Sequence, residues 1–402
     1  MNEKRRQAFR IGTLCIVTYL ASYITKNILS VSTPEMIKET FFSKEYIGLL
    51  SSICFIFYAI GQFINGFIGD NTHPKYMVII GLGISSVSTF SVPLTYNRFI
   101  HFAAFALIGF GLSMLRGPLM KTISENTAPA YARIICTFFS VTSFVGPLIA
   151  GFLSIIFNWR IVFLTTGIIS IFIAITFFIV ISGLERKGKI VFTKSKSIGI
   201  GGNVLSVFKL KDFIYYMFIS SIGEIVASSI TFWIPTYTTE HLGFSGVAAS
   251  AVYSIVSVTT AFVPFIALII YEKLIRNSIK LALTMYIIAF VFFIAVRFTE
   301  APILNIIFLI IAKMSAASAS SIVWSTYIPG LARSGRVSSA NGVIDASGYL
   351  AASLANVVFS KSVAHLGWNG IVSMWYIIML IGAFASITKL YITKRKSADY
   401  NT

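Results

Sequence analysis

The chain has 402 residues, of which 56% are hydrophobic and only 11% are charged, and its mean hydropathy is +0.84. Soluble domains carry about 25% charged residues, so this composition excludes a soluble globular protein and indicates many membrane spans. The formal net charge of +18 would suggest nucleic acid binding in a soluble protein. In a membrane protein, basic cytoplasmic loops explain it. We therefore expect contact with the lipid bilayer and no nucleic acid partner.

The basic segment 1–10 continues directly into an apolar stretch without a small-residue cleavage site, which predicts an uncleaved first span. Cys15, Cys54 and Cys136 all fall in apolar stretches. Their odd number and the lack of ligand spacing predict neither a disulfide nor a metal site. The sequence contains no nucleophile elbow, metal cluster or phosphate loop, so we expect no enzyme and no cofactor.

Hydropathy windows predict twelve spans, arranged as six, a polar break, and six more. Their limits are about 10–33, 46–69, 76–95, 99–121, 132–156, 160–182, 213–238, 247–270, 279–297, 303–328, 338–361 and 370–392. The break is rich in Lys, Arg, Gly and Ser and reads as a linker. We therefore predict an all-α membrane protein with an N-terminal half over 1–182, a cytoplasmic linker over 183–212 and a C-terminal half over 213–402.

The distribution of Lys and Arg between alternate loops predicts the orientation. Most of these residues fall on the side that holds both termini and the linker. The other side carries only Lys38, Lys44, Arg98, Arg160, Arg297 and Lys361. By the positive-inside rule, both termini and the linker are cytoplasmic. The expected location is the plasma (inner) membrane.

The stretch from Phe99 to Lys121 contains Arg116 in an apolar span. A guanidinium there costs about 2.5 to 3.5 kcal/mol on insertion scales and stays charged, so it must face a partner or a water-filled cavity. Arg116 is therefore a candidate binding residue. The alternative interpretation is an arginine that reaches the cytoplasmic interface or joins two helices.

Ionisable side chains inside the predicted spans form a mixed set: Lys26, Arg116, Glu224, Lys313, Asp345 and, nearer the cytoplasmic end, Lys121. Leaving them unpaired in lipid would cost roughly 15 to 20 kcal/mol, more than the stability of a typical protein. They must pair or share an aqueous cavity. The cations outnumber the acids, which favours an anionic substrate.

The two acids also suggest proton coupling, since a carboxylate in a partly dry cavity can gain a proton on one side and lose it on the other. We favour Asp345 as the carrier over Glu224, because Lys313 is a candidate structural partner of Glu224. Arg116 and Asp345 are predicted at a similar depth, and we expect them to pair in one state of a transport cycle. Substrate would replace Asp345 in the other state.

Polar residues recur at helical spacing on spans one, four, seven and eleven. Such stripes can line a pathway, although serines also bond their own backbone and tyrosines also pack. The small residues over 314–321 favour close helix packing over ligand contact. The resulting candidates for substrate binding are Tyr23, Lys26, Asn27, Arg116, Lys313, Trp324 and Asn341, and those for proton coupling are Asp345 and Glu224.

Several motifs resemble those of the major facilitator superfamily. The segment 66–75, GFIGDNTHPK, resembles its signature between spans two and three, and WRIVF from Trp159 resembles its entry to span six. YITKN from Tyr23, WIPTY from Trp233 and GYL from Gly348 resemble the organophosphate:phosphate antiporters. The resemblance implies two six-helix halves with substrate near the midplane. We assign conformational or gating roles to Gly66, Asp70, Lys75 and Arg133.

The chain departs from the antiporter pattern at two positions. Members of that family hold phosphate with two arginines, and the matching positions here are Thr25 and Ala227. The resemblance therefore implies the family's scaffold with a rebuilt site for a different anion.

We expect a secondary transporter of a small organic anion, such as a sugar phosphate, phosphonate, sugar acid or other carboxylate. It would act by alternating access and as a monomer, with proton symport favoured over anion exchange. The alternatives are an anion exchanger, a drug-type efflux pump and a non-transporting sensor of sugar phosphate.

Overall fold

The computed structural model describes residues 3–36, 38–39, 41–42, 44–192 and 206–399, and these are almost entirely helical with no β-strand among them. The predicted all-α class is confirmed. Of the predicted linker, residues 193–205, with Lys194 and Lys196, lie outside the described residues. The structure contains two compact units.

Unit one comprises Met1–Leu210 and Ile328–Ala346. Within it, α2 packs on α4, α3 on α8, and α1 on α7. Its complete helices are α1 (Glu3–Met36), α2 (Lys44–Asn71), α3 (Pro74–Ser91), α4 (Arg98–Ser113), α5 (Arg116–Asn126), α6 (Pro129–Phe139), α7 (Thr142–Ile156) and α8 (Trp159–Arg186).

Unit two comprises Lys211–Tyr327 and Ser347–Thr402. Here α12 packs on α9, α10 and α11. The helices are α9 (Phe213–Glu240), α10 (Gly246–Lys273), α11 (Ser278–Phe298), α12 (Pro302–Ile322) and α13 (Val337–Asp399). Helix α13 begins in unit one and continues into unit two. The halves predicted from the sequence, 1–182 and 213–402, stay a prediction.

Helix starts follow from local chemistry. The Asn97 side chain accepts a hydrogen bond from the Phe99 amide at 2.9 Å, and Asn158 caps the Ile161 amide at 3.0 Å. Such caps satisfy backbone donors that have no partner within the helix. Helices α3, α6 and α12 each begin at a proline, whose fixed φ suits the first helical turn.

Eleven helical stretches of the described chain are long and apolar enough to cross a membrane. They correspond to predicted spans one to ten and span twelve. The remaining prediction, 338–361, falls on α13, where several side chains between 356 and 364 lie outside the described residues. Helix α13 departs from helical geometry at Gly367, where φ is 64°. Glycine adopts a positive φ without a steric penalty. This irregular residue separates the part of α13 that carries span eleven from the part that carries span twelve.

Two spans are interrupted near the candidate site residues. Span four is divided into α4 and α5, and Pro118 accounts for the break because it lacks an N–H and its ring crowds the carbonyl of Met114. Span ten ends in a π-helical turn, Val323–Tyr327, which contains Trp324. Such turns frequently occur at functional sites.

Candidate functional site

An ion pair within unit one joins Arg116 to Asp345. Arg116 is the first residue of α5, directly after the break in span four. It donates a hydrogen bond of 2.5 Å to Asp345 Oδ1, and only 5% of the Asp345 side chain is exposed. The pair predicted from helix depth is therefore present. The second carboxylate oxygen, Oδ2, is buried and accepts no hydrogen bond from the described residues.

Lys26 of α1 supplies a second cation in the same unit. Its ammonium lies 3.4 Å from the centre of the Tyr58 ring and 5.1 Å from that of Tyr23, as in a cation–π contact. It is also close enough to Asp345 for a charge–charge interaction. Unit one thus holds Lys26 and Arg116 around one buried carboxylate.

Tyr58 was missed in the sequence reasoning, which took pathway residues from spans one, four, seven and eleven. Tyr58, Gln62 and Asn65 of α2 are all buried. The Gln62 amide donates to the Tyr58 hydroxyl at 2.6 Å, and Asn65 donates to Ser113 at 2.7 Å. Their spacing of four and three residues places all three on one helix face, so the sequence already indicated a polar stripe on α2.

A cavity of about 320 Å³ opens beside Lys26 in unit one. Apart from Lys26, the polar residues that line it are neutral, and they include Thr25, Asn27, Ser30, Ser51 and Tyr58. The Asn27 amide donates to the Tyr23 carbonyl at 2.7 Å, which fixes its orientation. The structure therefore brings Tyr23, Lys26 and Asn27 together, as the stripe on span one predicted.

Asn341 lies on α13 one turn before Asp345 and is fully buried. Neither atom of its side-chain amide makes a hydrogen bond with the described residues. The Ser338 hydroxyl, on the same helix face, is also buried without such a bond. Leaving a buried amide unpaired is costly, so this face can accept a polar ligand or water.

In unit two, Lys313 of α12 is 3% exposed and donates a hydrogen bond of 3.0 Å to the Thr231 hydroxyl of α9. Glu224, also on α9, is exposed and packs near Gly348 of α13. Trp324 lies half-buried in the π-helical turn. The roles assigned to these three residues stay predictions.

The motif residues of α2 hold the start of α13. Asp70 accepts hydrogen bonds from the backbone amides of Ser338 at 2.9 Å and Ser339 at 3.2 Å. A carboxylate at a helix N-terminus satisfies free amides and interacts favourably with the helix dipole. A Cβ atom on Gly66 would lie 3.0 Å from the Cα atom of Gly342. The two helices therefore approach closely, as a small residue allows.

Lys121, whose part in the cavity the sequence left open, lies at the end of α2. It is 2% exposed and donates to the carbonyls of Gly69 at 3.2 Å and Asp70 at 2.7 Å. The ammonium therefore caps the C-terminal end of α2, which attracts positive charge. Lys121 is accordingly removed from the set of cavity cations.

A second polar contact joins the start of α3 to the end of α8. Lys75 pairs with Glu185 at 2.5 Å, and His73 also bonds this carboxylate. Burial lowers the pKa of His73 although Glu185 opposes the shift, and this favours the neutral ring. Its Nδ1 accepts from the Lys75 amide at 3.3 Å, which leaves Nε2–H to donate to Glu185. Arg133 of α6 lies half-buried.

Two positions match the phosphate-binding arginines of the antiporter family that the motifs resemble, and both carry neutral side chains here. Thr25 is buried, donates to the Ala21 carbonyl at 2.9 Å and lies 3.3 Å from the Ser170 hydroxyl. Ala227 is half-buried on α9. Neither offers a charge to an anion.

Residues 15–356 match the family model of the Major Facilitator Superfamily. Among curated proteins, the membrane sensor protein UhpC of Salmonella typhimurium is 23% identical over 161 residues, 38% of this chain and 36% of that protein. A probable hexose phosphate transport protein of Chlamydia trachomatis is 30% identical over 95 residues, 23% of this chain and 21% of that protein. The hexuronate transporter of Bacillus subtilis is 22% identical over 279 residues, 64% of each chain. The chain thus matches about a third of the length of the first of these relatives.

Solved structures share the fold. The proton:xylose symporter XylE has a TM-score of 0.70 at 16% identity, over 96% of this chain and 95% of that one. The transporter FucP, in its outward conformation, has a TM-score of 0.70 at 11% identity, over 94% of this chain and 99% of that one. The resemblance to organophosphate carriers drawn from motifs is confirmed by the curated relatives.

Proposed function

We propose that this chain, which belongs to the Major Facilitator Superfamily, is a secondary transporter that moves a small organic anion by alternating access. The superfamily consists of membrane transporters and not of enzymes. The observation that carries the proposal is the Arg116–Asp345 pair, a guanidinium inside a membrane span whose buried partner is a carboxylate. Ionisable residues in such positions commonly mark substrate or proton pathways.

In the proposed cycle, the anionic group of the substrate replaces Asp345 on Arg116. A guanidinium binds a carboxylate or phosphate with two parallel hydrogen bonds, so substrate and Asp345 compete for the same donors. The ammonium group of Lys26 attracts the anionic group of the substrate over a longer distance. Tyr23, Asn27 and Asn341 contact the remainder of the substrate, and we assign Lys313 and Trp324 of unit two to the same task.

Proton coupling follows from this exchange of partners. An ionised carboxylate buried without a cation is unfavourable, so Asp345, once displaced from Arg116, takes up a proton. Glu224 is the second candidate for this role. Symport is favoured over exchange because Thr25 and Ala227 stand where the antiporters that the chain resembles carry arginines.

The contacts at the start of α13 support a gating role for the motif residues. Asp70 bonds two amides of α13, and Gly66 lets that helix approach α2. We propose that these contacts, with Lys75 and Arg133, hold one conformational state and separate in the other. The protein would reside in the plasma membrane as a monomer, with both termini cytoplasmic.

Uptake of labelled anions in a transport-deficient bacterial cell tests the proposal. We expect saturable uptake of at least one sugar acid or sugar phosphate, abolished by Arg116→Ala. Glu300→Gln is the control, because Glu300 is an exposed loop residue. Saturable binding to purified protein without flux would overturn transport and favour a sensor, an option supported by the similarity to UhpC. Reduced accumulation of amphiphilic cations would indicate efflux instead.

A further inference from the structure

We propose that the body of the substrate lies in the cavity of unit one between α1 and α2, where Ser51 bonds it and Cys54 limits its size. This inference rests on the proposed transport of an organic anion, and it names residues that select that anion. Every residue that carries it belongs to unit one.

The two walls of the cavity pack on different helices. A Cβ atom on Gly109 of α4 would clash with the backbone carbonyl of Cys54, so α2 lies tightly against α4. A Cβ atom on Gly146 of α7 would clash with Tyr23, so α1 lies tightly against α7. Closely packed helices shift little, and the side chains that face the cavity of about 320 Å³ therefore set its volume.

One face of α2 forms a wall of the cavity. The α2 residues on this face include Ser51, Cys54, Phe55 and Tyr58, and their spacing places them on the same side of the helix. The Tyr58 ring centre lies 3.4 Å from the ammonium of Lys26. Cys54 lies one turn before Tyr58 and is close enough to Lys26 for an electrostatic interaction. The side chain at position 54 therefore borders the space beside that ammonium.

Two serines that line the cavity have hydroxyls available to a ligand. Ser30 of α1 and Ser51 of α2 make no hydrogen bond with any residue that the structure describes. Serines inside helices commonly bond a carbonyl of the preceding turn, as Ser22 does with Tyr19 at 2.7 Å. The hydroxyls of Ser30 and Ser51 can instead donate to a substrate and accept from it.

The cavity lies apart from the contacts that we assign to gating. Its α2 residues fall in the N-terminal part of that helix, whereas Gly66 and Asp70 lie near the C-terminal end. Neither Arg116 nor Asp345 is among the described residues that line it. A change of side-chain volume at Cys54 therefore alters the cavity and leaves the gate contacts and the ion pair in place.

The thiol of Cys54 gives a direct test of access, because Cys15 and Cys136 are buried. Purified full-length protein is treated with two methanethiosulfonates of similar size, the anionic sulfonatoethyl and the cationic trimethylammonioethyl reagent. In each reaction the sulfur of Cys54 loses its proton to solvent, displaces methanesulfinate and forms a mixed disulfide. We expect one modification per chain, absent in Cys54→Ser. The anionic reagent should react about tenfold faster, after each rate is divided by that with free 2-mercaptoethanol.

Lys26→Gln tests whether the ammonium causes this preference. The substitution also changes the reactivity of the thiol, but it does so for both reagents, so the ratio of their rates isolates the attraction of the anion. The ratio should fall to about one. Equal rates in the wild type would overturn the inference. So would the absence of reaction with both charged reagents, and reaction with uncharged N-ethylmaleimide alone would assign the cavity to lipid.

Substitutions in the cavity wall test the selection of substrate. The half-saturation concentration is measured for uptake of the labelled sugar acid or sugar phosphate that the wild type transports. Cys54→Leu fills part of the cavity and should raise this concentration at least about tenfold. Cys54→Ser conserves the volume and should change it less than about twofold. Ser52→Leu is the control for added bulk, because Ser52 is exposed on the same helix.

Ser51→Ala removes one hydroxyl and should raise the half-saturation concentration about fivefold, whereas Ser52→Ala should not. Melting temperatures of all variants identify any loss of folding. Wild-type uptake in both Cys54→Leu and Ser51→Ala would overturn the inference and leave anion transport in place. If the wild type transports no anion, the proposed function fails, and the labelling rates still decide whether the cavity admits anions.

Discussion

Arg116 and Asp345 form a hydrogen-bonded ion pair although 229 positions separate them in the chain. Each is costly in a membrane interior without the other, and removing one partner of a buried pair typically costs about 3–5 kcal/mol. A substrate anion offers Arg116 the same chemistry as Asp345 does. The pair can therefore separate at low cost only when the substrate anion binds Arg116 and a proton binds Asp345.

Neutralising the proton carrier should uncouple transport. In proteoliposomes with an imposed pH gradient, Asp345→Asn should no longer concentrate substrate but should still exchange it down its gradient, because binding no longer requires protonation. Glu224→Gln is measured in parallel as the second candidate. If both variants concentrate substrate with wild-type pH dependence, proton coupling through these residues is wrong.

Gly66→Ala should impair transport by forcing α2 and α13 apart. The added Cβ atom would lie 3.0 Å from the Gly342 Cα atom and 3.1 Å from the Ser338 carbonyl, and backbone atoms cannot move aside as a flexible side chain does. Gly83→Ala in α3 is the matched control, because a Cβ atom there meets nothing within 4 Å. We expect reduced uptake for Gly66→Ala only. Equal uptake in both variants would exclude a need for this close approach.

Replacing the Tyr58 ring should weaken substrate binding through Lys26. Tyr58→Leu removes the face that holds the ammonium at 3.4 Å, and such contacts contribute about 0.5–2 kcal/mol. Tyr58→Phe keeps the ring and loses only the hydroxyl bonded to Gln62. Affinity for the anion identified by the uptake assay should therefore fall in Tyr58→Leu and largely recover in Tyr58→Phe. The same loss in both variants would assign the effect to the hydroxyl.

The membrane orientation is tested by reporter fusions after Arg186 and after Lys396. Because basic residues are concentrated in the loops on that side, both fusions should report the cytoplasm. A fusion after Asn97, the residue that precedes α4, should report the opposite side. A periplasmic signal after Arg186 or Lys396 would contradict the twelve-span topology.

Features that depend on repeating patterns were predictable from the sequence. Hydropathy located the spans, because a bilayer sets a minimum apolar length. Helix depth predicted the Arg116–Asp345 pair, since each residue advances by a fixed rise. Motif spacing also identified Asp70, although it did not predict that Asp70 would cap α13.

Features that depend on tertiary packing were not predictable in this way. The sequence left open whether Lys121 joins the cavity, and the structure shows that the carbonyls of α2 bind its ammonium. Tyr58 was overlooked because its stripe lies on α2, and nothing in the local sequence tells which helix faces Lys26. The break in span four is an exception. Pro118 was visible in the sequence, and a proline within an apolar span removes a backbone donor and so indicates an interrupted helix.

The affinity of Arg116 and Asp345 variants for the anion identified by the uptake assay, measured alongside their melting temperatures, tests the central claim most directly. We predict that Arg116→Ala loses binding, and that Arg116→Lys, which keeps the charge but not the planar fork, loses about tenfold. The double variant Arg116→Ala with Asp345→Ala should regain stability relative to Arg116→Ala, since the Asp345 carboxylate is no longer left buried without its guanidinium, yet bind no substrate. Wild-type affinity in Arg116→Ala, together with lowered stability, would contradict the proposal and identify Arg116 as a structural link between helices.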